Sequence, residues 1–248
     1  MAIIPAMSQQ ESFTVEVGGG HIEGTLALPE GADARRFPTV LICRGLHTFD
    51  DETAELLHEA AEAFRESGLA TVDYEARSAK MILDDFHAYT ASDNLDDAIA
   101  VLDWMLGRSS VDAGAIGLLG YNIGGITAAC LAGRTDRITR LALLSPGGAE
   151  RSDDDAAPAV PEGYLDSLTD LKPLESLMRQ ECPTMVMHGA ADRDIDPDAS
   201  FEYRRAFETA GRPIDHLQVA LADHTFSWSE ARLACIEQLC RFFAEMKS

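Results

Sequence analysis

Residues 115–131, with the sequence AIGLLGYNIGGITAACL, decide the fold of this chain. Residues 115–119 form a short apolar run that is typical of a buried strand. Residues 120–125 are rich in glycine and predict a tight turn, and residues 126–131 continue as a helix of small side chains. The stretch therefore predicts a strand, a turn and a helix in direct succession.

The turn has the pattern G-Y-N-I-G at residues 120–124. In a strand–turn–helix setting, the pattern G-x-S-x-G forms a nucleophile elbow, in which a strained backbone presents one reactive side chain. The flanking glycines let the helix and the strand approach closely. Here the residue at the tip is Asn122, whose neutral amide is not a useful nucleophile. The sequence thus predicts a catalytic framework without its usual reacting atom.

The remaining chain alternates apolar runs with helical patterns, which predicts an α/β fold with a mostly parallel sheet flanked by helices. We expect one domain over residues 1–248, with residues 12–17 and 21–28 as an antiparallel hairpin at the sheet edge. Ser92 is the predicted N-cap of a helix, and Leu233 is predicted to face inward from the last helix. The segment at about residues 148–180 is longer than an ordinary connection between two elements, so we expect it to form a small cap over the site.

Composition narrows the functions open to the chain. The formal net charge of −22 argues against nucleic acid and anionic membranes as partners, since both would repel the protein. The five cysteines lack paired spacing and lie mostly in apolar patterns, so we expect reduced core thiols, no metal site and no cofactor. With neither a signal peptide nor a membrane-spanning run, we expect a cytoplasmic location.

Polar residues follow two later strands of the predicted sheet. Asp192 comes after the strand at residues 184–188, and His224 comes after the strand at residues 214–220. Carboxyl ends of parallel strands meet at one edge, where ligands bind in such sheets. The chain order of elbow, acid and histidine is the order that a nucleophile–acid–base triad requires in this architecture. Considered alone, a histidine such as His224 is more often a loop or structural residue; its order with Asp192 and the elbow favours the catalytic interpretation.

From about Pro38 onward the chain resembles α/β-hydrolases, most closely compact esterases of the feruloyl (cinnamoyl) esterase and dienelactone hydrolase type. The resemblance is carried by PTVLICRGL, GLATVDYEARS, AIGLLGYNIGG, CPTMVMHGAADRDIDP and ADHTFS. It implies that Asn122, Asp192 and His224 take the places of the nucleophile, the acid and the base. It also implies that the backbone N–H groups of Leu46 and Ile123 form the oxyanion hole.

Three departures from the family pattern fall at the predicted pocket. The chain has Arg44-Gly45 where His-Gly is usual, Glu75-Ala76 where an Arg-Gly turn is usual, and Asn122 where Ser or Cys is usual. An amide cannot form an acyl-enzyme, so the usual covalent route is closed to the chain. Three changes at one pocket favour a repurposed site over a single accidental change. The alternative is that Asn122 is an engineered or chance change in an ordinary serine esterase.

A repurposed site could still use His224 as a general base and the oxyanion hole as an electrostatic stabiliser. The sequence therefore predicts water-mediated hydrolysis, or a lyase- or isomerase-type proton transfer, on a small carbonyl or ester ligand. The candidate substrate-binding residues are Arg44, His47, Tyr74 and Glu75, with His87 as a further pocket residue. The alternatives are an inactivated esterase and a ligand-binding pseudoenzyme. The oligomeric state stays open, and a homodimer is one option.

Overall fold

A central sheet of eight strands organises the chain in a computed structural model, which describes residues 9–31, 36–44, 51–80, 89–147 and 162–247. The strand order across the sheet is β1-β2-β4-β3-β5-β6-β7-β8. The strands are β1 (Gln10–Val17), β2 (Gly20–Ala27), β3 (Phe37–Cys43), β4 (Ala70–Glu75), β5 (Val111–Tyr121), β6 (Ile138–Leu144), β7 (Thr184–Gly189) and β8 (Asp215–Val219).

The strand pairing confirms the predicted architecture. β1 and β2 form an antiparallel hairpin, β2 pairs antiparallel with β4, and every pairing from β4 to β8 is parallel. The hairpin lies at one edge of the sheet, as the residues around Gly18 and Gly19 predict. Since β3 to β8 all run the same way, their carboxyl ends share one edge.

Helices cover both faces of the sheet. They are α1 (Asp51–Glu66), α2 (Ala91–Leu106), α3 (Ile123–Ala132), α4 (Glu162–Leu171), α5 (Pro173–Leu177), α6 (Ala199–Thr209) and α7 (Ser229–Ala244). One core cluster joins a face of the sheet to α2, α3, α4 and α6, and a second joins the other face to α1 and α7. No helix in the described ranges is both long and apolar enough to cross a membrane.

The inward face of α7 differs from the prediction at one position. Leu233 is 60% exposed, and the neighbouring Arg232 is buried instead. The Arg232 guanidinium reaches Glu55 at 2.7 Å and Glu59 at 3.3 Å on α1, and its Nε donates to the carbonyl of Phe226. The prediction for Leu233 was wrong because these partners let a charged side chain occupy the interface between α1 and α7.

The N-cap of α2 also differs from the prediction. Thr90, not Ser92, caps this helix: its hydroxyl accepts the N–H of Asp93, and the Asp93 carboxylate accepts the N–H of Thr90. Such a reciprocal capping box satisfies two N–H groups that the helix itself leaves without partners.

The described part of the predicted cap contacts two helices. Ser167 of α4 accepts the N–H of Ala91 at the start of α2, whereas the carbonyl of Leu171 accepts the Cys130 thiol near the end of α3. Residues 162–171 thus contact α2 and α3 on one face of the sheet, and their role as a cap stays a prediction. The connection must return from the carboxyl end of β6 to the amino end of β7, which explains these contacts. Residues 148–161 lie outside the described residues, so a cap there stays a prediction.

Candidate active site

The elbow between β5 and α3 has the strained backbone that its sequence predicts. Asn122 has φ 51° and ψ −122°, a conformation that residues other than glycine rarely adopt. Its N–H donates to the carbonyl of Leu144 at 3.0 Å, which fixes the tip beside the end of β6. A Cβ atom at Gly120 would lie 2.6 Å from the Ala128 Cβ atom, so only glycine permits this close approach of strand and helix.

The Asn122 side chain is directed at His224. Its Nδ2 atom lies 3.0 Å from Nε2 of the histidine ring. An amide Nδ2 atom can only donate, so Nε2 accepts and His224 carries its proton on Nδ1. The Asn122 Oδ1 atom is buried and has no hydrogen-bond partner in the described part of the structure. The elbow therefore holds an amide with one end engaged and the other unsatisfied.

Asp192 is the partner of His224 at its other ring nitrogen. His224 Nδ1 donates to Asp192 Oδ2 at 2.8 Å, and Asp192 Oδ1 accepts the backbone N–H groups of Asp194 and Ile195 at 2.9 and 3.0 Å. Burial alone would raise the pKa of Asp192, but its hydrogen bonds with histidine and backbone donors hold that pKa below its usual range. Asp192 is therefore a carboxylate at neutral pH, as a partner for an imidazolium must be.

The structure adds His188, on β7, as a second histidine at Asp192. The His188 side chain is fully buried, and its Nε2 atom lies 2.9 Å from Asp192 Oδ2. Sequence reasoning missed this residue because it ends the apolar run at residues 184–188 and was considered only as part of that strand. The available signal was its position, four residues before Asp192 at the same strand end.

Backbone hydrogen bonds tie the loop of the acid to the loop of the histidine. The N–H of Ala190 donates to the carbonyl of Val219 at 2.9 Å, and the N–H of Ala191 donates to the carbonyl of Ala222 at 2.8 Å. The Tyr121 hydroxyl at the end of β5 donates to the carbonyl of His224 at 3.1 Å. These bonds fix the two loops to each other and to the strand that carries the elbow.

One of the two predicted oxyanion donors lies within the described residues. Ile123 is the first residue of α3, so its N–H has no partner within the helix, and its role as an oxyanion donor stays a prediction. Leu46, His47 and His87 lie outside the described residues. Their assignments to the oxyanion hole and the pocket stay predictions.

Three further residues that were predicted to line the pocket lie within the described residues, and each has its own environment. Arg44 forms a two-pronged ion pair with Asp73 of β4, in which Arg44 Nε lies 2.5 Å from Asp73 Oδ1 and Nη2 contacts Oδ2. Tyr74 is buried in the core, and its hydroxyl contacts the Cys43 thiol at 3.7 Å, which gives no support to the predicted ligand contact. Glu75 is exposed at the end of β4, and its predicted role stays a prediction.

The turn after β4 contains an arginine that sequence reasoning passed over. Arg77 lies in a 3₁₀ turn (Arg77–Lys80), two residues beyond Glu75, and its side chain is 6% exposed. Its Nε atom donates to Asp97 of α2 at 2.5 Å, and its backbone N–H donates to the same carboxylate at 2.8 Å. The buried pair ties the turn after β4 to α2.

A cation could contact one cluster of side chains within the described ranges. Potential ligand atoms of Asp192, Asp194 and His224 lie within 4.8 Å of one another. Two of these residues already share a hydrogen bond, so a bound metal would have to break the histidine–aspartate pair.

A strained elbow that faces a histidine–aspartate pair at the carboxyl edge of such a sheet is the arrangement of the α/β-hydrolases, and the solved structures similar to this chain share the fold. Est1E from Butyrivibrio proteoclasticus aligns at 17% identity over 95% of this chain and 98% of its own, with a TM-score of 0.78. Dienelactone hydrolase from Anabaena variabilis aligns at 15% identity over 96% and 98%, with a TM-score of 0.66. The predicted resemblance to these esterase types is confirmed.

A family model places the chain more narrowly. The model of the prolyl oligopeptidase family matches residues 83–248, more than half of the chain, so the protein belongs to that family. A puromycin-hydrolyzing peptidase from Mycobacterium tuberculosis aligns at 16% identity and a TM-score of 0.76 over 99% of this chain but only 40% of its own. A search of curated proteins finds no match.

Proposed function

We propose that this protein is a hydrolase-type enzyme in which His224 acts as a general base on water at a small ester or related carbonyl compound. The observation that carries the proposal is the pair of contacts on the imidazole: Asp192 at Nδ1 and the elbow amide at Nε2. The ring of His224 is thus oriented, with its accepting nitrogen at the tip of the elbow. Asn122 would orient the ligand in place of attacking it.

The proposed reaction forms no covalent bond between the substrate and the protein. Water would give one proton to His224 Nε2 as its oxygen attacks the carbonyl carbon, and Asp192 would stabilise the resulting imidazolium. The N–H of Ile123 would donate to the oxyanion, an interaction worth about 3 kcal/mol per donor. Collapse of the tetrahedral intermediate would expel the alcohol, which takes the proton back from Nε2. The same base could move a proton next to a carbonyl group in a lyase- or isomerase-type reaction.

One observation favours a second candidate, a ligand-binding protein without turnover. The amide N–H of Asn122 occupies the lone pair of His224 Nε2, where a water molecule or a substrate proton would have to bind. An enzyme must displace this contact during each cycle, whereas a binding protein could keep it.

The test compares the unchanged protein with the variants Asn122→Ser, His224→Ala and the double variant. Est1E has been solved with ferulic acid, so the panel should hold methyl ferulate beside p-nitrophenyl acetate. We expect slow turnover by the unchanged protein without a burst, and a loss of about 10²-fold or more in His224→Ala. Asn122→Ser should gain several orders of magnitude in turnover and show burst kinetics, because a serine hydroxyl would then face His224 and Asp192, with the Ile123 N–H as the oxyanion donor. The double variant should lose that gain.

The opposite results separate the alternatives. If no ester or hydroxy acid turns over and His224→Ala binds them unchanged, the protein is a binding protein. If Asn122→Ser folds normally but stays inactive, the pocket has diverged beyond the elbow, and the Arg44–Asp73 ion pair becomes the next residue pair to change. Rescue by serine with no activity in the unchanged protein would identify an inactivated esterase.

A further inference from the structure

The Nε2 atom of His188, the second histidine at Asp192, contacts two hydrogen-bond acceptors and no donor among the described residues. His188 Nε2 lies 2.9 Å from Asp192 Oδ2 and 3.3 Å from the carbonyl oxygen of Ile195. Since neither oxygen can donate, the proton must be on Nε2. His188 Nδ1 is buried and has no partner in the described ranges, so a proton there would have no acceptor. The neutral Nε2–H form satisfies this side chain best.

Both histidines donate to the same carboxylate oxygen. His224 Nδ1 lies 2.8 Å from Asp192 Oδ2, the oxygen that His188 also contacts, while Oδ1 is taken by two backbone N–H groups. Each donor draws on the negative charge of the carboxylate, which is then less available to the others. His188 therefore competes with the proposed base for its orienting partner.

We propose that His188 is a positioning residue that holds the Asp192 carboxylate in place and limits how strongly Asp192 stabilises the imidazolium of His224. The proposal rests on the proposed function only in giving His224 the role of base. Its consequence is that the negative charge of Asp192 is divided between two histidine donors, so that His224 receives less of it than it would from an unshared carboxylate.

Other titratable groups surround the three residues and must be considered in any titration. They are Asp194 beside Asp192, Tyr121 and Asp223 beside His224, and the half-buried His216 of β8, which interacts electrostatically with His188 and also with Arg204 and Glu208 of α6. His216 contacts the Ser200 hydroxyl at 2.9 Å and makes no described contact with Asp192. It therefore offers a matched control histidine.

The experiment follows the ring of His224 by NMR titration, without substrate, in the unchanged protein and in two variants. His188→Leu removes the donor and keeps an apolar filling, whereas His188→Gln returns an N–H near the position of Nε2. We expect His188→Leu to raise the titration midpoint of His224 by about 1 pH unit, and His188→Gln to return it most of the way. The control His216→Gln should leave the midpoint in place. Where turnover is measurable, the acidic limb of the pH profile should move upward with the midpoint.

Two results would overturn the proposal. The first is a folded His188→Leu protein whose His224 midpoint is unchanged, since His188 would then only pack. The second needs no variant: ¹⁵N shifts of the unchanged protein should show His188 protonated at Nε2, and a proton at Nδ1 alone would contradict the shared carboxylate. Neither measurement depends on turnover, so failure here and failure of the proposed function are distinguishable.

Discussion

Asn122 combines two unfavourable features at the residue scale. Its φ of 51° costs of order 1–3 kcal/mol for a residue other than glycine, and its buried Oδ1 atom lacks a partner in the described structure. Strain of this kind persists where the surrounding structure imposes it. At this position β5, α3 and the hydrogen bond to Leu144 do so.

The strain can be measured by comparing two truncations. Asn122→Ala and Asn122→Gly both remove the amide, but only glycine relieves the positive φ. We expect Asn122→Gly to be the more stable by about 1 kcal/mol, after allowing for the larger chain entropy that glycine loses on folding. Urea unfolding measures the difference. At the exposed helical position Ala234, glycine should instead cost about 1 kcal/mol relative to alanine. Equal stability of the two Asn122 variants would show an unstrained elbow.

The sequence predicted the elbow, Asp192 and His224 as neighbours because each follows a strand end at a position that the fold brings to one edge. It did not predict His188, since a buried histidine inside an apolar run looks like core until its partner is seen. The same holds for Arg44, whose position was evident but whose ion pair with Asp73 was not. Motif positions can be read locally, whereas hydrogen-bond partners come from different elements.

At the scale of elements, a buried polar network joins the turn after β4 to α2. Asp97 is fully buried and accepts hydrogen bonds from Arg77 and from the Tyr89 hydroxyl at 2.8 Å. Burial is the largest influence on Asp97 and raises the pKa of its carboxyl group despite these donors. Asn94, one turn earlier on α2, donates to Thr127 of α3 and extends the network to the elbow helix.

Breaking this ion pair should cost far more than breaking an exposed one. We expect Arg77→Met to lower the free energy of unfolding by about 3–5 kcal/mol, because it leaves the Asp97 carboxylate buried without its cation. The double variant Arg77→Met/Asp97→Leu should recover most of that loss. Arg204→Met, which breaks the exposed pair with Glu208, should cost at most about 0.5 kcal/mol. Denaturant unfolding of the unchanged protein and the three variants measures these differences. If Arg77→Met lost no more unfolding free energy than Arg204→Met, the proposed role of the network would be contradicted.

Elements themselves were largely predictable, because hydrophobic period and glycine-rich turns mark strands and helices locally. The exceptions have physical causes. Arg232 displaced Leu233 from the inward face of α7 because Glu55 and Glu59 neutralise it across an interface that no local pattern reveals. The contacts of Ser167 and Leu171 with α2 and α3 were likewise not evident from the sequence, because the partners lie far apart along the chain.

At the scale of the whole molecule, the net charge of −22 should oppose the compact state through self-repulsion. Salt screens charges beyond about 10 Å at about 0.1 M ionic strength. We therefore expect the urea midpoint to rise as NaCl increases from about 10 mM to about 300 mM, where the screening length becomes much shorter. KCl at the same ionic strength should act equally, since screening depends on ionic strength alone. A flat or falling midpoint would show that local ion pairs outweigh the net charge.

The two hydrogen bonds from Ala190 and Ala191 join the loops of Asp192 and His224 through backbone groups, and neither bond involves the Asn122 side chain. We expect a substitution at position 122 to change the reactive group while Asp192 and His224 keep their relative positions. Serine at position 122 would offer an alkoxide, aspartate a carboxylate and asparagine an amide, each before the same imidazole. We therefore expect libraries of substitutions at position 122 to sample several reaction classes on one backbone.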